Sequence, residues 1–121
     1  MFTFRKYNKI EGGKRKRAKH PKLIVDVKGD KYGFMGLTES PKRGHHKNIE
    51  IKNPQKNKKA KSYIRNELRY DDKNHFSKPL EDYKLHNEDY IKIINIINKH
   101  KISIIIIITI LIFSLSIILY S

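Results

Sequence analysis

From Ile102 to Tyr120 the chain reads ISIIIIITILIFSLSIILY, 19 residues without one charged side chain. As a helix rising 1.5 Å per residue, such a run covers about 28 Å, close to the roughly 30 Å hydrocarbon thickness of a bilayer. The preceding 101 residues suit one small domain, whose modest core cannot easily surround a helix that is apolar on every side. Membrane insertion is therefore the leading reading. Two alternatives stand beside it: a buried core element, and an extension arising from a lost stop codon in AT-rich DNA. Ser103, Thr109, Ser114 and Ser116 can bond back to helix carbonyls and do not oppose insertion. Lys92, Lys99 and Lys101 precede the run and only Ser121 follows it, so the positive-inside bias predicts a cytoplasmic domain anchored through residues 102–120.

Charge supplies the second constraint. The sequence has 27 Lys and Arg against 12 Asp and Glu, a formal net charge of +15, and every one of those cations lies before Ile102. Self-repulsion of that size fits a chain whose partner is a polyanion, either nucleic acid or an anionic membrane surface. With no cysteine, disulfide scaffolds, thiolate metal sites and Cys nucleophiles are excluded together. The opening MFTFRKYNK lacks the apolar run of a secretory signal.

Along the chain, Phe2, Phe4 and Tyr7 predict a short first strand, and IEGGKRKRAKH a glycine-hinged basic loop. PKLIVDVKGDKYGFMGLT predicts a β-hairpin: aliphatic and β-branched residues, a Lys28-Gly29-Asp30 turn, then a second run bearing aromatics. NIEIK alternates with Ile49 and Ile51 on one face, and NPQKNKKAK is a polar connection. SYIRNELRY, Ser62 to Tyr70, fits a strand or one short helix equally. A helix begins at Asn87, a favoured cap, with Glu88 and Asp89 where the dipole favours anions and Tyr90, Ile93, Ile94 and Ile97 at helical spacing. The chain divides into a basic strand and loop at 1–20, a small β domain with a terminal helix at 21–101, and the apolar tail at 102–120.

The order of these motifs resembles the MazF/PemK toxin ribonucleases, which share a CcdB-type barrel. EGGKRKRAKHPKLIVD is similar to their Gly-rich basic loop and first long strand. YGFMGLTESPKRGHHKNIEI resembles their next strand, mobile loop and returning strand. SYIRNELRYDD with LEDYKLHNEDYIKIINII is similar to their closing strand and terminal helix. The resemblance spans Glu11 to Asn98. It implies a small SH3-like antiparallel barrel with a C-terminal helix, a homodimer, metal-independent cleavage of single-stranded RNA, and an antitoxin protein as partner. Two positions depart from the family pattern: His20 stands where Arg usually precedes the strand proline, and Lys47 and Asn48 occupy the neighbourhood of the usual loop Thr.

Cleaving RNA without a metal needs a base for the ribose 2′-OH, an acid for the leaving 5′-oxygen, and a cation for the phosphorane. Imidazole suits the first two, guanidinium the third. His20, Arg17, His46, His45 and Thr38 are the candidate catalytic set, on the expectation that a twisted barrel brings the loops before Pro21 and around His45 together. Each has a plainer reading: the paired histidines as solvated turn residues, Thr38 and Ser40 as turn formers. Lys14, Arg15, Lys16, Lys19, Lys42 and Arg43 are candidate phosphate contacts. Arg65 and Arg69 interleave with Tyr63 and Tyr70, which either stack bases or belong to the core. No metal ligand set or cofactor motif emerges, and seven of the twelve acids fall between Glu67 and Asp89. The function expected is a toxin-like endoribonuclease. The alternatives are a catalytically silent nucleic-acid-binding relative and a basic tail-anchored protein of unrelated fold.

Overall fold

The computed structural model of the protein describes residues 1–8, 10–11, 14–15 and 20–120, with 10, 11, 14 and 15 described by backbone alone. In chain order the strands are β1 (Phe4–Arg5), β2 (Ile10–Glu11), β3 (Lys14–Arg15), β4 (Lys22–Lys28), β5 (Lys31–Thr38), β6 (Lys42–Arg43), β7 (His46–Lys47), β8 (Ile49–Ile51), β9 (Ser62–Ile64) and β10 (Arg69–Asp72). A 3-10 turn (Lys73–His75) and helix α1 (Asn87–Tyr120) complete the chain.

The β-branched run after Pro21 forms the predicted hairpin. β4 and β5 pair antiparallel from Lys22↔Gly36 to Lys28↔Lys31. Gly29 takes the turn at φ 57°, a left-handed value that a side chain resists. A register shift between Ile24 and Asp26 bends β4. Its consequence is that Val25 and Asp26 both serve the helix side of the sheet.

The main sheet runs β1-β4-β5-β9-β8, and β10 also pairs with β5. The free edge of β5 is thus divided: Arg69–Asp72 pair with Lys31–Phe34, and Tyr63 and Ile64 pair with Thr38 and Leu37. Between them the Arg65 N–H donates to the Gly36 carbonyl at 2.8 Å and the Glu67 N–H to the Arg65 carbonyl at 2.8 Å. Ser62 to Tyr70 is therefore two strands with a bend between them. Its apolar residues belong to two separate pairings, which is why the pattern of the whole stretch does not separate strand from helix.

The sheet does not close into the SH3-like barrel that the sequence led us to expect; it is an open antiparallel sheet with one C-terminal helix. Other chain segments occupy its two ends. The Ser77 and Leu80 N–H groups donate to the Lys6 and Phe4 carbonyls beside β1 at 2.9 and 2.8 Å, and the Lys52 N–H next to β8 donates to the Asp89 carboxylate at 3.0 Å. The basic segment expected to be a loop after Tyr7 also differs. Its described residues pair as Ile10↔Arg15 and Glu11↔Lys14, a short β2–β3 ladder.

Alternation along the strands gives the sheet two faces. On the inner one Leu23, Val25, Met35, Ile51 and Ile64 enclose Ile93 and Ile97 of α1. On the outer one Ile24, Phe34 and Phe76 form a smaller cluster with Tyr7 and Tyr32 against it. Helix α1 starts at Asn87 as predicted and continues unbroken through 34 residues, with Asp89 only 2% exposed where it ties the helix to β8. From Ile102 onward the helix is exposed; its most apolar 18-residue window has mean hydropathy 3.1, and none of that window is buried. It is long and apolar enough to cross a membrane.

Gly33 is a close approach on the inner face, because a Cβ there would lie 2.8 Å from Asp26 Cβ and 2.8 Å from Tyr70 Cε1. Gly33→Ala is expected to destabilise the domain by about 1–3 kcal/mol through this overpacking. Urea denaturation of the full chain in detergent, followed by near-ultraviolet circular dichroism, measures the loss; an unchanged midpoint would show that the hairpin and β10 separate at no cost.

Candidate nucleic-acid interface

Strand register assembles a cationic row on the outer face. Arg5 faces Lys22 across β1 and β4, Lys22 faces Gly36 across β4 and β5, and the Arg65 backbone bonds Gly36 from the other side. Side chains directly opposite each other in a ladder share a face, so Arg5, Lys22 and Arg65 lie in one line across the sheet. With strands about 4.8 Å apart, the line extends roughly 14 Å. Gly36 forms its saddle: a Cβ there would meet Arg65 Cδ at 3.3 Å and Lys22 Nζ at 3.6 Å. The two flanking cations close over the space that the missing side chain leaves.

At the Arg65 end the row opens into a depression of about 390 Å³ lined by Arg43, His46, Asn48, Arg65, Asn66 and Glu67. The β6–β7 hairpin supplies the first two of these, with Arg43 opposite His46 in register and Gly44 turning at φ 60°. Asn48 ties the hairpin back, its N–H donating to the Pro41 carbonyl at 2.9 Å and its amide to the Ser40 carbonyl at 2.9 Å. An imidazole is thus held in one basin with two guanidinium groups, the combination that phosphodiester chemistry uses.

The predicted residues are distributed as follows. Arg43, His46 and Arg65 share the depression. His45 is exposed in the neighbouring turn, and Lys42 is exposed opposite Lys47. His20 is half-buried just before Pro21, whose carbonyl accepts the Leu37 N–H at 3.0 Å, so it reaches β5 from the β4 side, while the depression reaches β5 from the β9 side. It precedes Lys22 by two, the spacing that places both on one face of an extended chain. Thr38 is 5% exposed and its hydroxyl accepts the Ser40 N–H at 3.2 Å, the geometry of a turn former. Arg69 lies on the outer face with Cζ 5.7 Å from the centre of the Phe34 ring. Tyr70 points the other way, its hydroxyl donating to Asp26 at 2.6 Å with Lys28 Nζ 4.5 Å above its ring, so it belongs to the packing. Arg17, Lys16 and Lys19 lie outside the described residues; Lys14 and Arg15 are placed by backbone only, on β3.

Two members of the row, Arg5 and Lys22, escape a reading of the sequence. Each looks like an ordinary strand cation, and only the pairing of β1 with β4 and β4 with β5 aligns them with Arg65. Arg5 is held in place, Nε donating to the Thr3 hydroxyl at 3.2 Å and a terminal nitrogen to the Ser77 carbonyl at 3.0 Å, with Cζ 5.0 Å from the Tyr32 ring centre.

Among the described residues, Asp71, Asp72 and His75 bring ligand-type atoms within 4.8 Å of one another. Asp71 is already engaged: the Tyr7 hydroxyl and the Asp72 N–H donate to it, and His75 Nδ1 lies 2.9 Å away. Burial would raise the Asp71 carboxyl, but these hydrogen bonds outweigh it and hold it well below the usual carboxylate range. Asp26 is likewise lowered against its burial by Tyr70, the Val27 N–H and Lys101. The Tyr70 hydroxyl is pushed up to about 12 by burial and by its bond to Asp26.

Comparison of the chain with protein-family models, with curated proteins and with solved structures finds no match.

Because the folded Asp71 value lies below its unfolded value near 4, its stabilising contribution is complete above about pH 4 and is lost as pH falls below that. Asp71→Asn is therefore expected to lower stability at neutral pH and to flatten the acid side of the stability–pH curve. Melting temperatures from pH 7 down to pH 2 test this; an unchanged slope would remove Asp71 from the acid response.

Proposed function

We propose that this chain is a membrane-anchored, RNA-binding endoribonuclease of the toxin type, similar to the MazF/PemK family in the order of its motifs but built on an open antiparallel sheet. The cationic row Arg5, Lys22 and Arg65 leading into the depression of Arg43 and His46 is the observation that carries the reading. A single strand laid along the row has its phosphates neutralised successively, and one phosphodiester enters the basin. His46 takes the 2′-OH proton, the 2′-oxygen bonds to phosphorus, and the bond to the 5′-oxygen breaks as that oxygen gains a proton. Arg43 and Arg65 offset the extra charge on the phosphorane. His20, on the Lys22 side, is the candidate second proton carrier. An antitoxin protein and a second copy of the chain are the partners this reading implies, and α1 from Ile102 onward crosses the bilayer with the domain on the cytoplasmic side.

A silent RNA-binding relative is the second reading. It is favoured by Thr38, whose hydroxyl is buried against the Ser40 N–H and not presented to a ligand.

Labelled single-stranded RNA incubated with the detergent-solubilised full chain in the presence of a chelator separates these readings. Cleavage is expected, and His46→Ala is expected to slow it about 100-fold or more while binding persists. Unchanged cleavage in His46→Ala and in His20→Ala would remove both from the chemistry; binding without cleavage establishes the second reading.

Lys22→Ala is expected to weaken RNA binding across sequences and to lower the slope of log affinity against log salt by about one. Fluorescence anisotropy at several salt concentrations measures this, and an unaltered slope would take Lys22 off the phosphate path.

A further inference from the structure

We infer that the turn end of the β4–β5 hairpin is a docking surface for anionic phospholipid headgroups, so that the domain sits on the bilayer and does not hang from it. The inference rests on the reading that residues 102–120 insert. It starts from the absence of a linker: α1 is continuous from the packed residues Ile93 and Ile97 into the apolar run. The last turn before that run is fixed to the sheet twice. His100 Nε2 lies 2.9 Å from Asn66 Oδ1, and Lys101 Nζ lies 3.4 Å from Asp26 Oδ2.

Register gives the direction of travel. Asp89 meets Lys52, next to the C-terminal end of β8, which runs parallel to β5 on the far side of β9. Lys101 meets Asp26, which pairs with Gly33 near the start of β5. The helix therefore crosses the inner face from the Thr38 end of β5 toward the Lys28–Lys31 turn. Asp26 lies only two residues before Lys28, so the turn reaches the level at which the uncharged run begins. An inserted tail brings Lys28, Lys31, Lys99 and Lys101 to the headgroups together.

The local acids offset only part of this charge. Asp26 is occupied by Lys101 and Tyr70, and Asp71 by Tyr7 and His75, which leaves Asp30 in the turn and Asp72 opposite Lys31 against Lys28, Lys31, Lys99 and the neighbouring Lys73. Lysines near an anionic leaflet each favour the contact by about fivefold. The Arg5–Lys22–Arg65 row, at the level of Gly36, stands five strand residues from Lys31, about 17 Å along β5. That is about two Debye lengths at physiological salt, so headgroups at the turn leave the row to a soluble polyanion.

The chain has no cysteine, so single probes can be placed in it. The full chain carrying Asp30→Cys at the turn, or Lys58→Cys in the connection before β9, is labelled with a fluorophore. It is then reconstituted into vesicles with nitroxide-bearing headgroups, either neutral or containing phosphatidylglycerol. Expected is strong quenching at position 30 and little at position 58, deepened by phosphatidylglycerol and weakened about fivefold in partition by Lys28→Ala. Equal quenching at both positions in chains that resist carbonate extraction would overturn the seat and leave the anchor standing. Chains released by carbonate would overturn both.

Discussion

The pairing of Gly36 on both sides organises this molecule. On one side Gly36 faces Lys22 in register, and on the other its carbonyl takes the Arg65 N–H. Because a one-residue slip in any ladder would turn a strand's side chains to the opposite face, this one position sets which residues reach the helix and which reach the outer surface. It also makes β5 the strand whose edge is divided between β9 and β10. The bend that lets the chain pass from one pairing to the other, at residues 65–68, holds both the guanidinium that ends the cationic row and the Asn66 that meets His100.

The two faces answer to different energetics. The inner face is apolar and takes its stability from burial of Leu23, Met35, Ile64, Ile93 and Ile97, each nearly or fully out of water. Such residues contribute about 1.5–3 kcal/mol apiece on burial. The outer face has a smaller aromatic cluster with cations laid over it: Arg5 and Lys73 against Tyr32, and Arg69 against Phe34. These contacts keep charged groups at the surface while their stems cover apolar area. A surface of this kind presents charge while the cations cover the rings beneath.

Helix α1 joins two unlike parts in one unbroken element. Its first part is amphipathic and belongs to the domain; its second part is uniformly apolar and belongs to nothing in the domain. Ser103, Thr109, Ser114 and Ser116 each donate to the carbonyl four residues earlier, so the polar side chains of the second part are satisfied within the helix. That is the condition a helix must meet inside hydrocarbon. The ion pair of Lys101 with Asp26 and the bond of His100 with Asn66 hold the domain against the last turn before the apolar run.

The sequence by itself determined the hairpin, the start of the helix and the apolar tail. Each is a local matter: a glycine turn between β-branched runs, a cap ahead of helical spacing, and 19 uncharged residues in succession. It also singled out His46, Arg43 and Arg65, which line one depression. Only the tertiary structure decided that Arg5 and Lys22 join Arg65, that Ser62 to Tyr70 divides into two strands, that Asp89 is buried, and that the sheet stays open. Those outcomes depend on register and on which segments cover the two ends of the sheet, and register is set by contacts between residues far apart in the chain, which leave no period in the sequence to read.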